Sequence, residues 1–251
     1  MGKLFGTDGI RGIVGENLTA DLAFRVGQAV GMVLMEEKGE RPTVVLGKDT
    51  RISSDLLEAA LISGLCSVGA DVTPVGDIPT PAVAYLTRQE KADAGIVVSA
   101  SHNPYEHNGI KVFNGQGYKL SDALEERVEE KILSSGPMAL KTRGDLGRRH
   151  HGMKQLKRHY IDFVASTIDS DLAGLRILVD CANGAASATA PELFGRFKAH
   201  TVFLHRSPNG VNINDRCGST HMEELAAQVV KEGYDIGVAF DLSLIHIAAP
   251  P

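Results

Sequence analysis

The 251-residue chain has no apolar run long enough to cross a membrane. Its longest near-apolar stretch, residues 22–35, is interrupted by Arg25 and Gln28, whereas a spanning helix needs about 20 consecutive apolar residues. The opening MGKLFGTDGIRG has neither a basic nor an apolar leader segment, so no secretory signal is expected. Cysteine is scarce. Cys66, Cys181 and Cys217 are scattered, odd in number and form no CxxC pair. Neither a disulfide framework nor a cysteine zinc site is expected, and a reduced cytoplasm fits. A strong excess of either charge is also missing: the net charge is −5 and charged residues make up 23%, which suggests neither disorder nor a nucleic-acid binder. No GxSxG elbow occurs. The remaining 43% of hydrophobic residues suffices for one large or two smaller packed domains.

What is present alternates between helical and strand patterns. Residues 18–39 read as a helix, with Thr19 as N-cap, Phe24, Val26, Val30, Val33 and Leu34 near helical spacing, and Gly39 after its end. PTVVLGKDT is a short buried strand. A second helix closed by Gly69, a strand ADVTPVG, a helix opened by Pro81, and a buried strand AGIVVSA follow. That strand runs straight into the polar loop SHNPYEHNG. IKVFN resumes as a strand, and a charged helix capped by Ser121 closes the unit. Such alternation implies an α/β fold with parallel strands and right-handed crossovers.

Between residues 141 and 159 the composition turns basic and poor in large apolar residues. This run is short, lacks interleaved aromatics and reads as a solvated linker entering a helix rather than as a nucleic-acid site. It divides the chain into units 1–150 and 151–251. The second unit repeats the first in outline: LRILVDCANG as strand and polar turn, ASATAPELFGRF as a helix, AHTVFLH as a strand, THMEELAAQVVKEG as a helix, YDIGVAFD as a strand. VVLGKDTR and ILVDCANG occupy corresponding places, each an apolar strand with an Asp at its carboxyl end. The expected architecture is two related α/β/α units with mixed, largely parallel sheets, and ligands gather at the carboxyl ends of such strands.

SASHNPYEHNGIK is the most informative stretch. A serine placed directly after a buried strand is held by the sheet and expected to be exposed at its tip. Ser101 is followed by His102, Asn103 and Pro104, and Lys111 lies on the next strand. Histidine can move protons near neutral pH, and lysine can neutralise phosphate or act as acid or base. Phosphoryl transfer to and from a serine hydroxyl would use all these types. The same Ser, His and Asn could equally be satisfying turn backbone. FGTDGIRG, expected as a glycine-rich loop, delivers Arg11, whose fork suits phosphate; GKDTRIS delivers Lys48 and Arg51 beside a strand end. His102 is poorly placed as the base of a serine hydrolase, since adjacent residues of an extended segment face opposite ways.

FGTDGIRG, GKDTRIS, SASHNP with NGIK, and NINDRCGSTH together resemble the α-D-phosphohexomutase superfamily, and within it the phosphoglucosamine mutases. The resemblance covers nearly the whole chain up to Asp241. It implies the first two domains of a four-domain mutase and a cytoplasmic enzyme. Its Ser101 would carry a phosphoryl group, pass it to a hexosamine phosphate and recover it from the bisphosphate, converting glucosamine 6-phosphate to glucosamine 1-phosphate for cell-wall (peptidoglycan) precursors. It implies Arg11 and Lys111 on the catalytic face, His102 and Asn103 shaping the phosphoserine loop, Lys48 and Arg51 fixing the phosphate site, and Mg2+ on the Ser101 phosphate and Asp241. The partners it implies are the hexosamine phosphate and its bisphosphate, with no nucleic acid and no membrane; a homodimer is compatible with the full-length protein. The chain departs from the family after Asp241: the Asp-Gly-Asp-x-Asp-Arg magnesium loop is replaced by LSLIHIAAPP, residues 242–251. The metal site is therefore expected to be incomplete, and little mutase turnover is expected from this polypeptide. His107 stands where relatives often carry Asp. A phosphomannomutase or phosphoglucomutase of the same superfamily, and a non-catalytic phosphate-binding module, are the competing readings.

Overall fold

Alternate side chains of a strand point to opposite faces of its sheet, and two strands of this chain use that to anchor two layers of helix. In β2 (Thr43–Lys48), Val44 and Leu46 face one core and Val45 the other; in β4 (Ala94–Val98), Ile96 and Val98 face the first and Val97 the second. The computed structural model describes residues 4–6, 9–134, 136, 138–241 and the backbone of residues 245–248. Its first sheet has the order β1-β5-β4-β2-β3. β3 (Asp71–Asp77) runs parallel to β2, and β2 parallel to β4. β5 (His107–Asn114) is antiparallel to β4, and β1 (Ile10–Ile13) antiparallel to β5.

β1 corrects the expectation of a glycine-rich loop there. Four residues interrupted by Gly12 carry no apolar alternation, so only pairing with β5 reveals the strand. Thr7 and Asp8 lie outside the described residues.

Helices α1 (Ala20–Lys38), α2 (Ile52–Ser67) and α4 (Asp122–Leu133) cover one face; α3 (Thr80–Gln89) and the buried Leu156 of α5 (Met153–Ala165) pack on the other. Thr19 Oγ1 accepts from the Leu22 N–H, Ser121 Oγ from the Leu124 N–H, and Gly39 ends α1 at φ 76°. α1 and α2 touch backbone to backbone: a Cβ on Gly64 would lie 2.1 Å from Phe24 O, and one on Gly27 2.5 Å from Leu61 O.

The basic segment after α4 is solvated through its side chains but pinned through its backbone. The Val72 N–H donates to Arg148 O (2.8 Å) and the His150 N–H to Val72 O (2.7 Å). Asp71 accepts from the Arg148 N–H (2.8 Å), Arg41 Nη1 (3.0 Å) and His150 Nε2 (2.9 Å). α5 then stacks Phe163 on Tyr85, ring centroids 4.1 Å apart.

In the second sheet β6 (Arg176–Asp180) lies between β7 (His200–Leu204) and β8 (Ile236–Phe240), all parallel, and β9 (Ile245–Ala248) joins β8 antiparallel. The single helix expected over ASATAPELFGRF is instead a 3-10 turn, Ala185–Ala188, and a short helix α6, Ala190–Phe194. Thr189 leaves helical geometry at φ −124°, and Pro191 has no N–H to extend a ladder backwards. α7 (Glu223–Glu232) ends at Gly233, φ 69°. Among the described residues no helix is long and apolar enough to cross a membrane.

Candidate functional site

β2 and β6 are matched inner strands, and a carboxylate at the carboxyl end of each, Asp49 just after β2 and Asp180 closing β6, folds the following turn. Asp49 Oδ1 accepts from the Arg51 N–H (3.1 Å), and Asp180 Oδ1 from the Ala182 N–H (2.8 Å). The two turns meet. Thr50 Oγ1 donates to Asn183 O (2.6 Å), and the first amide of α2, Ile52, donates to Gly210 O (2.8 Å). The carboxyl ends of both sheets are thereby brought against each other, with the loop after β4 between them.

Ser101 occupies that loop in the left-handed region, φ 56°, which non-glycine residues rarely adopt. Its N–H donates to Ser99 Oγ (3.0 Å), and its Oγ donates to Asp241 Oδ1 (2.7 Å). Its main-chain oxygen and that of Asn103 are gripped from below by Arg51 Nη2, at 3.0 and 2.6 Å. The Arg51 side chain is wholly buried and ion-paired to Asp49. Asp49 also accepts from Ser54 Oγ (2.8 Å), and Asn108 Nδ2 donates to Ser54 Oγ (3.0 Å) and Ser53 Oγ (2.9 Å). Asn108 Oδ1 takes the Gly109 N–H (2.8 Å), and Gly109 O takes the Ser99 N–H (2.9 Å). A continuous polar network therefore runs from α2 through β5 to the serine.

Three sequence expectations change here. Ser101 is 5% exposed rather than standing free at a strand tip, because Asp241 from the second unit reaches its hydroxyl. Arg51 was expected at a phosphate, but it sits under the loop and holds main-chain oxygens. Lys48 is not brought to Ser101 either: its ammonium lies 2.5 Å from Asp77 and 3.0 Å from Asp55. Burial would lower its pKa, but hydrogen bonding and charge from these two carboxylates outweigh it and hold the ammonium above its ordinary value.

Arg11 and Lys111 share a face. Arg11 pairs across from Gly109, and Lys111 is two residues further along β5; directly opposed residues of antiparallel strands project to the same side. A Cβ on Gly109 would lie 3.1 Å from Arg11 Cγ and 2.8 Å from Ser99 O, so the arginine stem passes beside the root of the serine loop. His102 is half exposed, its Nδ1 3.8 Å from Asp241 Oδ2. The Asn103 N–H donates to Ala100 O (3.2 Å).

The sequence reading placed Asp49 only as the acid at a strand end, without its role under the serine loop, and missed Ser54, Asn108 and Asn214. Asn214 Nδ2 donates to Ser101 O and to Asn103 O, both at 3.0 Å. Its only sequence signal was its place in NINDRCGSTH, quoted for the resemblance alone.

Ser101 Oγ and Asp241 Oδ1 are hard oxygen donors and suit a magnesium ion in kind, though they supply two of the roughly six oxygens it takes; residues 242–244 lie outside the described residues. Asp180, His205 and Cys217 also converge, ligand atoms within 4.8 Å of one another. Both Asp180 oxygens there are already taken by the N–H groups of Ala182 and Gly218 (2.8 Å each). Beside Asp241 an apolar cleft of about 560 Å³, lined by Tyr160, Ile161, Leu193, Phe194 and Val238 among others, opens between the units.

Comparison with known proteins places this geometry. The phosphoglucomutase/phosphomannomutase alpha/beta/alpha domain I matches residues 2–137 and domain II residues 158–242. The phosphoglucosamine mutase of Acetivibrio thermocellus is 53% identical over 242 residues, covering 96% of this chain and 54% of that protein. That of Clostridium acetobutylicum is 52% identical over 241 residues, with the same coverage. The chain thus spans about half the length of the curated relatives it matches. A phosphoglucomutase/phosphomannomutase family protein of Burkholderia thailandensis superposes with a TM-score of 0.81 at 26% identity, covering 98% of this chain and 54% of that one. Aspergillus fumigatus N-acetylphosphoglucosamine mutase, in complex with GlcNAc-6P and magnesium, shares the fold alone: TM-score 0.51, 14% identity, 98% of this chain and 52% of that one. With both family domains matched over its two sheets, the chain belongs to the phosphoglucomutase/phosphomannomutase family.

Proposed function

We propose that this chain supplies the phosphoserine-bearing half of a phosphoglucosamine mutase, interconverting glucosamine 6-phosphate and glucosamine 1-phosphate, with Ser101 as the phosphoryl carrier. The observation that carries the proposal is Ser101 itself: a serine in left-handed geometry after a buried strand, its main-chain oxygen fixed by Arg51 and Asn214 and its hydroxyl aimed at Asp241. Charging from a hexose 1,6-bisphosphate forms the Oγ–P bond and breaks a phosphorus–sugar oxygen bond. The serine proton passes to solvent, the hydroxyl having been oriented by its hydrogen bond to Asp241 Oδ1, and the sugar oxygen departs as a hydroxyl after taking a proton. Lys111, on the face shared with Arg11, is the candidate acid for that proton, and the Arg11 guanidinium meets phosphate oxygens. His102 and Asn103 shape the loop. Lys48 and Arg51 act at a distance, through Asp77 and the loop main chain. Mg2+, when held by the Ser101 phosphate and Asp241, would neutralise phosphoryl charge. Residues 1–150 form the unit that bears the serine, residues 151–251 the unit that closes on it, in the cytoplasm.

The test is intact-mass spectrometry after incubation with glucose 1,6-bisphosphate and Mg2+. The chain is expected to gain one phosphoryl group and Ser101→Ala none. A wild-type chain that gains none, or a Ser101→Ala chain that gains one, would overturn the proposal.

A further inference from the structure

We infer that Asn214 is a positioning residue through which the second unit sets the conformation of the Ser101 loop. Two main-chain oxygens, those of Ser101 and Asn103, each receive two donors: Arg51 Nη2 from the first unit and Asn214 Nδ2 from the second. The two oxygens bracket His102, so holding both fixes the turn that places Ser101 at φ 56°. Arg51 is part of the first unit and grips the loop whether or not the second is docked. Asn214 arrives only with the second unit.

Its own placement is tightly set. Asn214 is itself left-handed, φ 58°, and its N–H donates to Ala182 O (2.9 Å). Ala182 and Asn183 are left-handed too, and the turn they form is capped by Asp180, whose other oxygen takes the Gly218 N–H. Residues 214 and 218 are therefore locked to the carboxyl end of β6. The same loop lends Gly210 O to the start of α2. Any shift between the units that parts the Thr50–Asn183 and Ile52–Gly210 contacts also withdraws Asn214 from the loop. An asparagine suits this job for two reasons. Its short amide tolerates the left-handed backbone, and its NH2 group carries two hydrogens for two oxygens. Aspartate, identical in shape, would set an acceptor against two acceptors.

The inference about mutase chemistry rests on the phosphoserine reading; the inference about the loop does not, so two measurements are paired. Asn214→Gly keeps the left-handed backbone and removes both bonds; Asn214→Asp keeps the shape and removes the donors. Amide hydrogen exchange followed by NMR reads the loop directly through the N–H groups of Ser101 and Asn103. In both variants these amides are expected to exchange about tenfold faster, as loss of the two hydrogen bonds implies, while the amides of β4 and β6 stay unchanged. The rate of Ser101 phosphorylation by glucose 1,6-bisphosphate is expected to fall several-fold, with the bisphosphate concentration for half-maximal rate unchanged. Unaltered exchange at Ser101 and Asn103 in both variants would overturn the clamp, as would acceleration spread uniformly over both sheets. If the wild-type chain takes no phosphate, the phosphoserine proposal fails and the exchange measurement alone decides the clamp.

Discussion

At the scale of single residues, Arg51 shows how much depends on a group that no ligand need touch. Its guanidinium is buried against Asp49, Ser101 O and Asn103 O. Arg51→Ala would leave the Asp49 carboxylate buried with no cation, a situation that costs about 3–5 kcal/mol. Urea denaturation of the variant should show a loss of that size. Two cysteines give a second check. Burial, reinforced by the negative charge of Asp180, pushes the thiols of Cys181 and Cys217 up to about 12. A thiolate is the reactive form. Both should resist iodoacetamide near neutral pH in the folded chain and alkylate once it is denatured, as peptide mass spectrometry would show.

At the scale of elements, α1 and α2 approach so closely that neither Gly27 nor Gly64 can carry a side chain without moving backbone. Gly64→Ala would add a methyl group at 2.1 Å from Phe24 O. Helix propensity favours alanine by about 1 kcal/mol, but overpacking typically costs about 1–3 kcal/mol. The contact is with main chain rather than a mobile side-chain tip, so net destabilisation is expected, read as a lowered melting temperature. Helix limits were legible where chemistry is local. The caps at Thr19, Ser121 and Gly39 stand where the sequence puts them, because a cap is decided within four residues. The break at Thr189 was not, since the apolar spacing of the segment continues across it.

At the scale of the whole molecule, Asp71 ties the segment between the units to the first sheet. Burial alone would raise its carboxyl, but hydrogen bonds from His150, the Arg148 N–H and Arg41 outweigh this and hold it below its ordinary 3.8. A depressed folded pKa means that the stabilisation is complete above 3.8 and disappears as pH falls through the lower folded value. Asp71→Asn should therefore be less stable than wild type at about pH 7, with the gap narrowing as pH falls below 3.8. Chemical denaturation at neutral pH and through the acid range measures it, and a gap that does not narrow in acid would contradict the assignment.

The sequence alone determined the alternation of helices and strands, the helix caps, the two-unit α/β/α plan and the serine loop with its neighbours. Each of these is written in residues close together in the chain. Tertiary structure decided the rest. It made a strand of Ile10–Ile13, turned Arg51 into a support under the loop, tied Lys48 to Asp77 and Asp55, and brought Asn214 and Asp241 onto a serine more than a hundred positions earlier. Those outcomes depend on which strand ends the packing sets side by side. Hydrophobic patterning dictates that the strands are buried, and only the folded sheets dictate what their carboxyl ends meet.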